Sequence, residues 1–324
     1  MTDASLGAGR LAYLPVSLFG SVMGLCGLAL AWRLAALGYG LPAWIGEALG
    51  LLAAGVFAAL AVCYGIKCAG SPAAVRAEFA HPVAANFFGT PIISLLLLPA
   101  LALPYSVALA TALWVIGTVS MLAFAWLIVS RWISVRQLQA TPGWMIPVVG
   151  TLNISIVGAA LDLPGAQAVS AFGLAVGMFF AVPLFTLNLS RLMFDEPMPL
   201  AQQPSLLILL APFAVSFLAY VSVVGRVDLF ASALFYLSVF MFAVLAPRLL
   251  ALRGATPFHV SWWAVSFPLA AMSNAALNFA LHRPSLPAQA FAFAVLAFTT
   301  LVILSMVLRT AAAIARGQLR ALTT

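Results

Sequence analysis

Long apolar runs separated by short polar connections dominate the hydrophobic pattern of this sequence. The runs are continuous rather than alternating, which favours membrane-spanning helices over the strands of a membrane barrel. A helix needs roughly 20 mostly apolar residues to cross the hydrocarbon core of a bilayer. The pattern therefore predicts ten spans, numbered in chain order: 11–32, 44–66, 83–103, 106–130, 144–161, 168–190, 205–225, 229–247, 260–281 and 287–308.

The composition agrees with an all-α integral membrane protein. Of the 324 residues, 65% are hydrophobic and only 6% are charged, and the mean hydropathy is +1.15, values outside the usual range of soluble domains. We therefore expect residues 1–324 to form a single transmembrane domain. The first run follows Arg10 as in a signal peptide, but it is too long and lacks a small-residue cleavage site, which indicates a retained span.

Positive charges are unevenly distributed between the connections. With the N-terminus in the cytoplasm, eleven Lys and Arg residues face the cytoplasm and three face the other side. This positive-inside bias predicts an even number of spans and cytoplasmic N- and C-termini, in a bacterial-type inner (plasma) membrane. The net charge of +7 thus indicates topology and contact with anionic head groups of the lipid bilayer, rather than nucleic-acid binding. The cytoplasmic set is Arg10, Lys67, Arg76, Arg131, Arg136, Arg191, Arg248, Arg253, Arg309, Arg316 and Arg320, and the opposite set is Arg33, Arg226 and Arg283.

Proline recurs in the first half of each odd-numbered span. A proline inside a helix removes a hydrogen bond and costs roughly 3 kcal/mol. The freed carbonyl finds no water in lipid, so such a break is tolerated where it faces protein or a water-filled cavity. The pattern predicts five helical hairpins around a central pore, with the odd spans inside and the even spans outside. The prolines are Pro15 and Pro147, close to their helix starts, and Pro91, Pro212 and Pro268, which we expect to lie further inside.

Polar residues and glycines support the same inner ring. Span 9 carries Ser273, Asn274 and Asn278 beyond its proline, and Asn188 is the one asparagine of the even spans. Hydrogen bonds between helices and a pore lining are both consistent with such residues. GxxxG spacing lets helices approach closely, so most glycines of one such set indicate close helix packing. The set is Gly20, Gly24, Gly27, Gly46, Gly50, Gly173 and Gly177. We set Gly20 apart, because a position facing a bulky aromatic ring across a narrow pore would have to lack a side chain.

Motifs that would indicate an enzyme are missing. The sequence contains no glycine-rich phosphate loop, HExxH pair, GxSxG turn or catalytic carboxylate pair. The three cysteines form no CxxC pair and the three histidines are far apart, so we expect no metal and no cofactor. Glu47 is the acidic residue that could lie appreciably within a span, either as a solvated interfacial group or with a coupling role. A pathway without fixed charge binds ions weakly, which favours conduction.

Five segments together resemble the tellurite-resistance and C4-dicarboxylate transporter family, which includes the plant guard-cell slow anion channels. The resemblance covers essentially the whole chain. It implies ten helices in five hairpins, a pore of approximate fivefold symmetry, and homotrimers with one pore per protomer. The segments are LPVSLFGSVMGLCGLALAW at 14–32, HPVAANFFGTPI at 81–92, TPGWMIPVVGTLN at 141–153, LLAPFAVSFLAY at 209–220 and SWWAVSFPLAAMSNAALNF at 261–279.

The same resemblance implies a gate. The family's pore is closed by a phenylalanine of the ninth helix in an SFxLA context, which matches Phe267. A glycine of the first helix in a YFG context lies beside that ring and matches Gly20, although LFG replaces YFG here. With Gly20, we expect the pore lining to include Phe19, Pro268, Pro212, Phe213, Pro91, Pro147 and Pro15.

These observations favour a passive anion channel for small anions such as chloride, nitrate or small carboxylates. A secondary carrier or exporter for C4-dicarboxylate, sulfite or tellurite is the main alternative, and it would saturate and respond to a proton gradient. An exporter of the drug/metabolite type also has ten spans, but it would repeat as two halves of five. A membrane enzyme should show clustered His, Asp or Cys residues near one interface. A purely structural subunit is the remaining alternative.

Overall fold

The computed structural model describes residues 11–135, 140–255 and 258–323. Arg10 and Arg136 of the predicted charge pattern lie outside these residues, as does the side chain of Arg253. Within the described ranges, nine helices are long and apolar enough to cross a membrane. Their bounds are Val16–Tyr39, Ala43–Gly70, Ala84–Ala102, Val107–Ser134, Ala166–Phe194, Leu200–Val224, Leu229–Leu252, Val260–His282 and Leu286–Ala315.

Most of these bounds lie within a few residues of the predicted spans, and the first helix differs most. It continues to Tyr39, beyond the predicted end at residue 32. The prediction ended span 1 before Arg33 because a charge usually marks the edge of the hydrocarbon core. The Arg33 side chain instead forms an ion pair with Glu47 of span 2, so the helix passes it without exposing an uncompensated charge.

The predicted fifth span is divided into short pieces. It consists of a 3-10 turn, Pro142–Trp144, and two α-helical segments, Met145–Val149 and Leu152–Gly158. At the division, the Thr151 hydroxyl lies within hydrogen-bonding distance of the carbonyl oxygens of Val148 (2.7 Å) and of Gly173 in span 6 (3.0 Å). No single piece is long enough to cross a membrane, so the count of ten spans stays a prediction.

Burial separates the odd spans from the even spans, as predicted. In the apolar windows of spans 1, 3, 7 and 9, between 61% and 78% of the residues are buried, against 11% to 39% in the even spans. The pieces of span 5 are also almost entirely buried. The even spans therefore present most of their apolar side chains outward, where lipid would cover them.

The odd spans form a closed ring. Span 1 packs against span 3, span 3 against span 5, span 5 against span 7, span 7 against span 9, and span 9 against span 1. Each even span packs on the outside of the odd span that precedes it. This is the predicted arrangement of helical hairpins with the odd helices inside.

The prolines mark the start of the α-helical part of each odd span rather than a break within it. Four long odd spans begin with a 3-10 segment, and Pro91, Pro212 and Pro268 lie in the first turn of the α-helix that follows. Pro147 is likewise in the first turn of its segment, and Pro15 immediately precedes the 3-10 segment of span 1. Pro91, Pro212 and Pro268 therefore lie inside their spans, as predicted, but at the change from 3-10 helix to α-helix rather than at a break within an α-helix.

Backbone carbonyls of span 1 accept hydrogen bonds from both neighbouring inner spans. From span 3, the Thr90 hydroxyl reaches the Val16 oxygen at 3.2 Å. From span 9, the Ser266 hydroxyl reaches the Gly20 oxygen at 3.1 Å. The Asn274 amide, also from span 9, donates to the Gly27 oxygen at 2.7 Å. These polar side chains hold the ring together, as interhelical packing predicts.

Glycine permits the close approach of spans 1 and 9. A Cβ added at Gly24 would lie 2.3 Å from the Cβ and Oγ of Ser266, and one at Gly27 would lie 2.7 Å from the Cβ of Ala270. At Gly20 the nearest atom would be the Trp263 oxygen at 3.5 Å, an ordinary contact distance. The packing of spans 1 and 9 therefore requires glycine at Gly24 and Gly27, whereas Gly20 has room for a methyl group.

We expect Gly24→Ala to destabilise the protein by about 1–3 kcal/mol, because the new methyl group overpacks the contact with Ser266. Gly20→Ala is the matched control, since its methyl group meets no atom closer than 3.5 Å. Thermal unfolding of the purified variants would measure both effects. Equal unfolding temperatures for the two variants would contradict the packing described for spans 1 and 9.

Candidate functional site

Two cavities lie inside the ring of odd spans. The amino-end cavity, at the N-terminal ends of these spans, has a volume of about 400 Å³. The carboxyl-end cavity, at their C-terminal ends, has a volume of about 330 Å³. All five odd spans contribute to each cavity, and no described residue of an even span lines either one.

Phe267 and Val215 are the two residues that line both cavities. Phe267 belongs to span 9 and Val215 to span 7. Both side chains are apolar. Their place in both linings puts Phe267 and Val215 between the two cavities.

Local structure holds the backbone of Phe267 in place. Ser266, directly before it, lies within hydrogen-bonding distance of the Gly20 oxygen (3.1 Å) and the Trp263 oxygen (2.7 Å). Pro268, directly after it, restricts the conformation of the backbone on both sides. The Trp263 indole also donates to Thr310 of span 10 at 3.1 Å. Motion of the Phe267 ring about its side-chain bonds is therefore easier than motion of the backbone that carries it.

Four of the predicted pore residues line a cavity. Gly20, Pro15 and Pro268 lie in the wall of the amino-end cavity, and Phe267 lies in both walls. The described linings do not include Pro91, Pro147 or Pro212. These three prolines fix the start of helical segments in the ring without contributing to its inner surface.

Phe19 and Phe213 face the outer helices instead of a cavity. The Phe19 ring packs edge-on against Phe57 and Tyr64 of span 2, with centroids 5.8 and 6.3 Å apart. The Phe213 ring packs edge-on against Phe185 of span 6, with centroids 5.0 Å apart. Each ring therefore joins an inner span to an outer span, in contrast to the position predicted for it.

An ion pair lies beside the carboxyl-end cavity. Arg33, which lines the cavity, donates to a Glu47 carboxylate oxygen at 2.6 Å and to the Leu101 oxygen at 3.0 Å. The Tyr105 hydroxyl donates to the same Glu47 oxygen. This hydrogen bond raises the pKa of Tyr105 above its ordinary value, so the hydroxyl keeps its proton at neutral pH. Glu47 thus has a specific partner on span 1.

A second ion pair lies beside the amino-end cavity. The Lys67 ammonium group, only 4% exposed, lies 2.6 Å from a carboxylate oxygen of Glu78 and donates to the Leu14 oxygen at 2.6 Å. Glu78 also accepts from the Val16 N–H at 2.7 Å and from the Tyr64 hydroxyl at 2.9 Å. The pair therefore fixes the start of span 1 to the end of span 2.

Glu78 belongs to a short helix that was not predicted, Pro72–Ala80. Its sequence signal was present, because a serine followed by proline is typical of a helix start. The helix turns the chain back, so that Glu78 lines the amino-end cavity while Lys67 does not. The expectation of an uncharged pore therefore needs correction, since Glu78 lines one cavity and Arg33 the other.

We expect Lys67→Met to destabilise the protein by about 3–5 kcal/mol, because it leaves the Glu78 carboxylate without its buried partner. Arg76→Met is the matched control, since Arg76 is an exposed cation on the same side of the molecule and its loss should change stability by less than about 0.5 kcal/mol. Thermal unfolding would compare them. An unfolding temperature of Lys67→Met equal to that of Arg76→Met would rule out a stabilising role for the buried pair.

No group of three or more His, Cys, Asp or Glu side chains suited to a metal ion occurs in the described ranges.

Comparison with known proteins identifies the family. A family profile described as SLAC1, voltage-dependent anion channel, matches residues 13–311. The chain belongs to this family. Among SLAC1-family relatives, it is similar to the S-type anion channel SLAH3 of Arabidopsis thaliana, with 29% identity over 307 residues, 91% of this chain and 48% of that protein. It is also similar to the tellurite resistance protein TehA homolog of Haemophilus influenzae, with 28% identity over 312 residues, 94% of this chain and 92% of that protein.

These relatives define the class of protein. The chain spans about half the length of the plant channel SLAH3, and the shared part is the membrane region described here. An uncharacterised transporter of Methanocaldococcus jannaschii, MJ0762, is 27% identical over 223 residues, 61% of this chain and 65% of that protein. The chain is therefore a multi-pass membrane protein of a SLAC1-type anion channel and transporter family.

Proposed function

We propose that the protein is a passive anion channel whose pathway runs through the two cavities and is gated by Phe267. The observation that carries this proposal is that the Phe267 ring belongs to the wall of both cavities. Turning this ring aside would join them without moving a helix. Of the two side chains shared by the cavities, Phe267 is the larger, and a change of its rotamer is a small motion.

The shape of the pathway supports conduction more than coupled transport. Phe267 and Val215, shared by both cavities, carry no proton and no hydrogen-bonding group. A proton-coupled carrier would need an ionisable side chain near the site where access alternates. The described charged groups of the linings, Glu78 and Arg33, instead lie towards the two ends. An ion in the middle would therefore be bound weakly and leave quickly.

The names of relatives support the class of substrate. SLAH3 is named an anion channel and the Haemophilus protein is named for tellurite resistance. We propose chloride, nitrate or small carboxylates as the permeant ions of this chain, and no enzymatic activity. The positive-inside bias supports a bacterial inner-membrane location with both termini, and the amino-end cavity, on the cytoplasmic side. The proposed homotrimer rests on family resemblance.

Phe267→Ala should raise the anion current by roughly tenfold or more, which corresponds to removing about 1.4 kcal/mol from the barrier. Currents in oocytes or planar bilayers, normalised to the amount of protein in the membrane, would measure this. Phe267→Tyr is the side-chain control, because it keeps an aromatic ring between the cavities and should keep the current low.

Phe213→Ala is the position control for this experiment. It removes a phenylalanine from an inner span at a place that faces span 6 instead of the pathway, so the current per channel should stay low. If Phe267→Ala is well expressed and conducts no better than Phe213→Ala, the gate assignment is wrong.

A further inference from the structure

The carboxyl-end cavity combines one cationic group with a wall of leucine side chains. Leu30, Leu34 and Leu37 lie three or four residues apart and thus on one face of the span 1 helix, and all three line the cavity. Leu97 of span 3 and Leu218 of span 7 complete this apolar wall. Arg33 lies on the same face of span 1. An occupant of this cavity would thus meet a guanidinium group and hydrocarbon together.

The Arg33 side chain is held in a fixed position. A Cβ at Gly46 would lie 2.9 Å from the Arg33 Cγ, so this glycine provides the space in which the arginine stem lies. The guanidinium group is then anchored by Glu47 and by the Leu101 oxygen. These two contacts use only part of its five N–H donors, and its Nε is buried without a partner among the described residues. Binding of an anion would therefore cost little side-chain conformational entropy, because Arg33 is already held in place.

The charge of the lining selects the charge of the ligand. Arg33 is the one charged residue in the described lining of this cavity, and Glu47 does not line it. A monoanion could place its charge on Arg33. A dicarboxylate would have to place its second carboxylate away from Arg33, against the leucine wall or against the uncharged side chains of Ser222, Asn274 and Asn278, where no cation would pair with it.

We propose that the carboxyl-end cavity binds short-chain monocarboxylates, with the carboxylate on Arg33 and the alkyl chain on the leucine wall. This deepens the proposed anion pathway and rests on it for the biological role of the site. Binding itself requires no conduction, so it can be tested even if Phe267 is not a gate. The leucine wall predicts that affinity rises with the length of the alkyl chain. Chloride and formate have no alkyl chain to bury there.

The test is the thermal unfolding of the purified full-length protein, titrated with formate, acetate, propionate and butyrate at constant ionic strength. A ligand that binds only the folded state stabilises it by RT ln(1 + L/Kd), where L is the concentration of free ligand, so the acid concentration that gives a fixed rise in unfolding temperature scales with Kd. Each added methylene should lower this concentration by about fourfold, the factor expected for burying one methylene. A concentration that does not change along the series would overturn the proposal.

Three variants of the ion pair separate anion binding from a structural role. Arg33→Gln should abolish the stabilisation by all four acids, whereas Arg33→Lys should retain it. Glu47→Gln should strengthen binding, because it removes the carboxylate that competes for Arg33. If the ion pair has only a structural role, Arg33→Gln and Glu47→Gln should both weaken binding. That result would count against the site.

Two further variants complete the design. Leu34→Asn should leave formate binding unchanged and flatten the dependence on chain length. Arg283→Gln is the matched charge control, since Arg283 lies at the same end of span 9 and contacts the Val227 oxygen without lining the cavity. If Arg33→Gln fails to fold, the Leu34→Asn series decides. Retention of the full chain-length dependence in Leu34→Asn would refute the leucine wall as the binding surface.

Discussion

Hydrogen bonding of the span 1 backbone is the constraint on which the inner ring depends. Asn274 of span 9 donates to the Gly27 oxygen of span 1. The Thr90 and Ser266 hydroxyls lie within hydrogen-bonding distance of span 1 carbonyls at 3.2 and 3.1 Å, and each lies 2.7 Å from a carbonyl oxygen of its own span. In a membrane such groups have no water to turn to, so these bonds fix both the separation and the register of the helices. Gly24 makes the shortest approach possible. The cavities exist because a ring held in this way leaves its centre unfilled, and Phe267 reaches that centre because Ser266, directly before it, is one of these side chains.

The two ion pairs tie the same first hairpin together at its opposite ends. Lys67 and Glu78 fix the start of span 1, and Arg33 and Glu47 fix its far end against span 2. Their orientations are opposite, because Glu78 lines the amino-end cavity whereas Arg33 lines the carboxyl-end cavity. Each cavity lining thus contains one charged residue of an ion pair, whereas Phe267 and Val215, which line both cavities, are uncharged.

The sequence was sufficient to predict the helical ring but not the rotation of individual helices. Proline and hydroxyl placement distinguished the inner from the outer spans, because both features are costly in contact with lipid. The sequence alone could not show that Phe19 and Phe213 face outer helices, because the lipid-facing, buried and pore-facing sides of these spans are all apolar. The pairing of Lys67 with Glu78 depends on the turn made by Pro72–Ala80 and not on spacing along one helix. Phe267 was identified through its family context, and its location between two cavities required the fold.

The central claim is that anions move down their own gradient, without coupling, along a pathway whose narrow point carries no ionisable group. The reversal potential of the current measures this directly when a proton gradient is imposed across the membrane at constant anion gradient. We predict that the reversal potential follows the gradients of chloride, nitrate or carboxylate alone and does not move when the pH of one side is changed. A shift of the reversal potential with the proton gradient would contradict the account and would indicate a coupled carrier.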